Sequence, residues 1–216
     1  MPEFLFSAVD EDGVQMLVDW GKIRAVVLDF DCTITLEHTG GRADSAEELL
    51  CEYIKNNTKS VFVEFVQESM RQGIELWIAT YGDDGFAQNS DDVAGHELVK
   101  RYMNVLFGPD QRLFREPKRD EQRNITAYHN VIARCSGDRK AFHWDIIRMQ
   151  MGTNFHPDEI LFLDDSQSNL DYAAELGCQL MVPGSSDTSA SVCASKELFT
   201  LLLDRMCVKG VTDAVE

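Results

Sequence analysis

The sequence predicts an α/β fold with a parallel sheet at its centre, and three features point there. Short, almost wholly apolar runs, 25-AVVL-28, 74-IELWIA-79 and 159-EILFL-163, have the length and evenness of strands buried on both faces. Amphipathic, helix-length segments separate these runs, so successive strands return parallel through crossovers. Each run ends in polar residues: Asp29 and Asp31, then Thr80, then Asp164 and Asp165. Open parallel sheets bind ligands beyond the carboxyl ends of their strands, which is where these side chains are expected.

Taken in order, residues 8–20 read as a short helix leading into the strand 23–28. In 35-TLEHTGGRAD-44 the Gly40-Gly41 pair suits a two-residue turn, making 34–44 a hairpin flap. Ser45 with Glu48 forms a capping box for a helix whose Leu49, Leu50, Tyr53 and Ile54 share a face. A second helix over 60–72 turns Phe62, Phe65 and Val66 inward and stops at Gly73. The strand 74–80 follows, then 81-YGDDG-85, a helix over 92–104 and a short strand near 105–108. Residues 109–138 read as a small polar insertion in which 124-NITAYHNVIARC-135 has a helical pattern. Lys140 opens a helix over 140–152, the strand 159–165 ends in acids, and a helix over 168–176 is capped by Gly177. A strand at 179–182 and a helix over 195–206 complete one three-layer, Rossmann-like domain spanning 1–216.

Composition bounds the function. A chain of 216 residues with 44% apolar and 26% charged residues suits a soluble globular domain. A net charge of −17, from 20 basic and 37 acidic residues, argues against nucleic acid or an anionic membrane as partner. The stretch 112-RLFREPKRDEQR-123 is the local exception; it reads as a solvated loop, with a contact surface for an anionic substrate as the alternative. No apolar run approaches membrane-spanning length, and 1-MPEFLFSAVDEDG-13 lacks the features of a signal peptide. Cys32, Cys51, Cys135, Cys178, Cys193 and Cys207 form no CxxC pair, so they read as reduced thiols of a cytoplasmic protein rather than a zinc site or disulfide frame.

The strand ends carry the chemistry. Asp29 and Asp31 are two apart, so in an extended segment their side chains share a side. Two carboxylates about 4 Å apart repel by roughly 4 kcal/mol at an effective dielectric near 20, so three in one crevice call for a cation or shared protons. A hard divalent ion with oxygen ligands answers this, and Mg²⁺ suits so sparse a ligand set. The start of the helix at Lys140 is expected in the same crevice.

In this order the segments resemble the four motifs of the haloacid dehalogenase (HAD) superfamily. The first, an apolar strand then DxDxT, is matched by 25-AVVLDFDCT-33; the second by 76-LWIAT-80; the third by Lys140; the fourth by 160-ILFLDDSQSN-169. The resemblance implies an HAD-like fold and a Mg²⁺-dependent phosphatase. It makes Asp29 the nucleophile that forms an aspartyl-phosphate and Asp31 the general acid and base. It gives Thr80 and Lys140 the phosphoryl group to hold, with Thr33, Tyr81 and Gly82 completing the substrate-binding set. It places Mg²⁺ on Asp29, the Asp31 carbonyl and Asp165, with Asp164 and Asn169 as supporting neighbours.

The spacing between motifs leaves room for a short flap but no full cap domain. With 140-KAFHW-144 and 163-LDDSQSN-169, the chain looks most like the capless magnesium-dependent phosphatase branch, and departs from it at 79-ATYGDD-84. An open cleft would admit a phosphoprotein or a small phosphate ester. The alternative reading is a catalytically quiet phospho-ligand-binding or scaffold protein on the same fold. His143, one helical turn after Lys140, either orients the lysine or packs; His38 in the flap either touches substrate or is a plain flap residue; Cys32 reads as core, pointing away from both aspartates.

Overall fold

The computed structural model describes residues 8–9, 15–16, 18–44, 46–88, 91–109, 113, 118–120, 125–127, 130–180 and 196–212. At its centre is a five-stranded sheet, every neighbouring pair parallel: β3 (Ala25–Leu28), β5 (Glu75–Thr80), β9 (Val131–Ala133), β10 (Ile160–Leu163) and β11 (Gln179–Leu180). Their spatial order is β11-β10-β3-β5-β9. The chain builds outward from β3 to one edge, then crosses back to lay β10 on the other side of β3. The order therefore reverses between β3 and β10, and an open parallel sheet gapes at such a point.

Alternation along the strands sets the two cores. Val26, Leu28, Leu76, Ile78, Leu161 and Leu163 face one cluster, shared with α1 (Glu47–Asn56), α2 (Phe62–Arg71), α3 (Gly95–Phe107) and α6 (Leu198–Thr212). Ala25, Val27, Trp77, Ala79, Ile160 and Phe162 face the other, shared with α4 (Ala141–Met151) and α5 (Gln167–Glu175). Period-two side chains buried on both faces explain the unbroken apolar runs. Phe62 and Phe65 on α2 meet Phe199 of α6 at ring-centroid distances of 4.9 and 5.2 Å. No helix among the described residues is long and apolar enough to cross a membrane.

Several elements differ from the sequence expectation. Within 8–20 the described residues include a two-stranded antiparallel ladder, β1 (Ala8–Val9) with β2 (Gln15–Met16), in place of a helix. Gly40 and Gly41 do form a turn, with φ of 69° and 73° as its two left-handed positions require. The turn does not close a hairpin: β4 (Arg42–Asp44) pairs with β6 (Asp92–Ala94), so 92–94 is a strand and the helix starts after it. That helix then runs through 105–107, where a strand was expected. Ala46, not Ser45, is the N-cap of α1 and makes no side-chain cap; Ser45 lies outside the described residues. Leu50 and Ile54 of α1 are buried, but Leu49 is 66% exposed and Tyr53 sits at the boundary.

The insertion changes most. Where 124–135 has a helical period, the chain forms β8 (Ile125–Ala127), paired with β7 (Lys118–Asp120), and then β9 at the edge of the main sheet. Tertiary contact overrides the local period: Asn130 Nδ2 donates to the carbonyls of Leu76 (2.6 Å) and Leu113 (2.9 Å), while the Ile78 amide donates to its carbonyl. Of the basic stretch 112–123 the structure describes Leu113, which is buried, and β7. The expected strand residues 181–182 lie outside the described residues.

Candidate active site

The residues that end the strands meet where the strand order reverses. Asp29 follows β3, Asp164 and Asp165 follow β10, and a carboxylate oxygen of each lies within 4.8 Å of the others. Asp29 and Asp164 are buried and Asp165 is half-buried. Lys140 precedes α4, and its ammonium, with no exposed surface, reaches into the group. It donates to Asp29 Oδ1, to Asp164 Oδ2 at 2.7 Å and to the Ala79 carbonyl at 2.6 Å. An ammonium has three donors, so all of them are committed to the protein. These bonds leave no Lys140 donor for the direct phosphoryl hydrogen bond expected of a substrate-binding residue.

One ammonium does not balance three carboxylates. Burial pushes the Asp29 carboxyl well above the ordinary carboxylate range; Lys140 pulls it down, while Asp164 and Asp165 push it further up. Burial and the Asp164 charge likewise raise Asp165. Burial opposes the charge on Lys140, but Asp164 and Asp29 outweigh it and hold the lysine more basic than usual. Oxygen donors of this number and excess negative charge fit a hard divalent cation such as Mg²⁺, held by Asp29 and Asp165. Asp164, tied to Lys140, the Ser166 amide (2.8 Å) and Asn169 Nδ2 (3.0 Å), serves more as the anchor of the lysine than as a free ligand.

Asp31 is not in this group. The strand ends at Leu28 and the chain turns over 31–34, so the expected extended alternation is lost. The Asp31 carboxylate faces the flap: Oδ1 accepts from the Thr39 amide (2.8 Å) and hydroxyl (2.6 Å). His38 Nδ1 accepts from the Gly40 amide at 2.9 Å and stands 3.5 Å from Asp31 Oδ2. The same flap lines a cleft of about 580 Å³ with His38, Thr39, Arg42, Phe86 and Gln88.

The turn also corrects Cys32, which is half-buried in left-handed backbone (φ 59°) rather than core. Thr33 is fully buried and its hydroxyl finds no partner among the described residues. Thr80 Oγ1 accepts from the Gly82 amide at 3.1 Å, which leaves the threonine proton free and commits the Gly82 donor. Gly82 packs against the Gly41 backbone, and the Tyr81 hydroxyl is bonded to the Lys140 amide and to Asn169 Oδ1. His143 Nε2 bonds the Thr80 carbonyl at 2.9 Å, which fixes the end of β5 rather than the lysine ammonium. Burial, then the nearby Lys140 charge, depresses its pKa to about 4, so it is a neutral donor.

Lys59 and Thr39 carry no motif signal in the sequence. Lys59 is buried before α2 and donates to the Cys32 carbonyl at 2.6 Å, pinning the turn that carries Asp31. Its position in 56-NNTKS-60 looks like a solvated loop. The bridge between Thr35 and Thr58 and the bond from the Lys59 amide to the Ile34 carbonyl (3.0 Å) bring it inward.

No protein-family model matches the chain, and no curated protein does. Among solved structures it is similar to DsGPDH of Dunaliella salina, at 15% identity and a TM-score of 0.42, over 78% of this chain and 24% of that one. The matched region thus spans less than a third of DsGPDH, and a likeness at this score bears on neither fold nor chemistry.

Proposed function

We propose that this chain is a Mg²⁺-dependent phosphomonoesterase of the HAD superfamily, acting through a phosphorylated Asp29. The observation that carries the reading is the convergence of Asp29, Asp164 and Asp165 on a buried, fully bonded Lys140 at the point where the strand order reverses. Three carboxylates and one ammonium make a poor structural ion pair, but they make a site for a cation and the phosphate it neutralises.

In this mechanism an Asp29 carboxylate oxygen forms a bond to phosphorus as the bond from phosphorus to the ester oxygen breaks. Asp31, on the flap side, gives its proton to the departing oxygen. It then takes a proton from water as that water attacks phosphorus, which frees Asp29 and inorganic phosphate. Thr80 donates its hydroxyl proton to a phosphoryl oxygen, and Lys140 supplies charge through its contact with Asp29. Asp29 and Asp165 would hold Mg²⁺, whose double charge would favour their ionised forms and offset the negative charge of the phosphate. The leaving group lies toward Asp31 and the flap cleft, which is open enough for a phosphoprotein side chain or a small phosphate ester. The enzyme belongs in the cytoplasm on its cysteine pattern; Cys32, Cys51, Cys135 and Cys178 are unbridged.

Acid quenching during turnover of an aryl phosphate, followed by peptide mass analysis, tests the reading. It predicts one added phosphoryl group on the peptide holding Asp29. Turnover with a label on another residue contradicts it, and binding without turnover favours the scaffold alternative.

A further inference from the structure

Two consecutive non-glycine residues, Arg139 (φ 55°) and Lys140 (φ 63°), take left-handed backbone just before α4. A side chain with a Cβ disfavours that conformation, so it persists only where the surroundings hold it. One bond to this segment comes from Tyr81, the residue after β5. The Lys140 amide donates to the Tyr81 hydroxyl at 2.9 Å, and that hydroxyl donates its single proton to Asn169 Oδ1 at 3.0 Å. Asn169 Nδ2 donates to Asp164 Oδ1 at 3.0 Å, and Asp164 Oδ2 accepts from Lys140 Nζ at 2.7 Å.

The bonds form a closed circuit that leaves Lys140 by its backbone and returns to it at its ammonium. Tyr81 touches the lysine at both ends, because its ring centroid also lies 5.2 Å from Nζ, with the Phe162 ring 5.9 Å away. The Tyr81 and His143 rings meet nearly perpendicular, at 83° with centroids 5.6 Å apart, an arrangement that fixes the phenol's plane. A buried polar network whose members are all satisfied is rigid, and here it joins the end of β5 to the starts of α4 and α5.

We propose that Tyr81 is a positioning residue for Lys140. Its hydroxyl sets where the ammonium stands between Asp29 and Asp164, and it does not touch substrate. The kinetic consequence rests on the phosphatase reading, while the circuit itself does not.

Tyr81→Phe keeps the ring and removes only the bridging hydroxyl. Misplacing a charge next to a nucleophile is felt in the chemical step, so kcat for an aryl phosphate falls on the order of 10–100-fold while KM stays within about twofold. A raised KM with unchanged kcat would mean that the hydroxyl binds substrate, and no change in either would mean that it positions nothing. Both results overturn the proposal.

A second arm needs no turnover. Melting temperatures of Tyr81→Phe, Asn169→Ala and the double variant form a cycle. If the circuit acts as one unit, the double variant melts close to the worse single one; losses that add overturn it. Should the wild type show no turnover with a range of phosphate esters, the phosphatase reading fails while the cycle still decides on Tyr81.

Discussion

Replacing Lys140 by methionine removes the positive charge around which the site is built while keeping an unbranched chain of similar length. The ammonium is fully buried and holds three acceptors: Asp29, Asp164 and the Ala79 carbonyl. Deleting one side of a buried ion pair costs about 3–5 kcal/mol, because the charges left behind stay desolvated without a partner. For a chain of this size that is about 6–20 °C of melting temperature, at roughly 2–4 °C per kcal/mol.

The assay is urea unfolding followed by circular dichroism at neutral pH, wild type beside Lys140→Met, in EDTA and in Mg²⁺. The deficit is expected to shrink as pH falls. Asp29 and Asp165 have folded pKa values above their unfolded ones, so the folded state takes up protons first and a carboxyl proton then replaces the missing ammonium. Mg²⁺ is expected to narrow the gap as well. A loss under about 1 kcal/mol in EDTA, independent of pH, would refute the claim that this lysine offsets the carboxylate cluster.

Other perturbations probe the surroundings. His143 is depressed from 6.5 to about 4, so its contribution is complete above pH 6.5 and is lost as pH falls from 6.5 toward 4, where the unfolded chain binds the proton first. Unfolding across that window should show up to about 3 kcal/mol lost from this group in the wild type and a flatter profile in His143→Gln. Gly40→Ala meets open space and should cost only the left-handed penalty of about 1–2 kcal/mol. Gly41→Ala would set a Cβ 2.5 Å from the Phe86 ring and 3.2 Å from the Gly82 backbone, so its melting temperature should drop further. Phe199→Ala, which strips α6 of its contacts with Phe62 and Phe65, should cost about 3–5 kcal/mol by denaturant titration.

The central strands and their polar ends were legible because the signal is local. An apolar run such as 25-AVVL-28 followed by acids needs no partner to be read, and the same holds for Lys140 at the head of a helix. Pairings between distant segments were not legible. β4 and β6 are three residues each and pair residues 48 to 52 positions apart, so neither carries a pattern of its own. β9 was hidden by a helical period that Asn130 overrides through bonds to Leu76 and Leu113.

Within the site, sequence spacing located the carboxylates but not their directions. Asp29 and Asp31 share a motif, yet the turn after Leu28 sends one to Lys140 and the other to Thr39. The place of the Tyr81 hydroxyl between the Lys140 amide and Asn169 has no mark in its sequence neighbourhood beside Thr80. Lys59, a cation held under the turn that carries Asp31, has no mark in the sequence at all.

The central claim is that Asp29, in this carboxylate and lysine cluster, attacks phosphorus with the help of Mg²⁺. Hydrolysis of p-nitrophenyl phosphate by wild type and Asp29→Asn, each with Mg²⁺ and with EDTA, tests it most directly. The account predicts phosphate release by the wild type in Mg²⁺ alone, and none by a folded Asp29→Asn protein under either condition. Comparable release by Asp29→Asn, or wild-type release undiminished in EDTA, would contradict it.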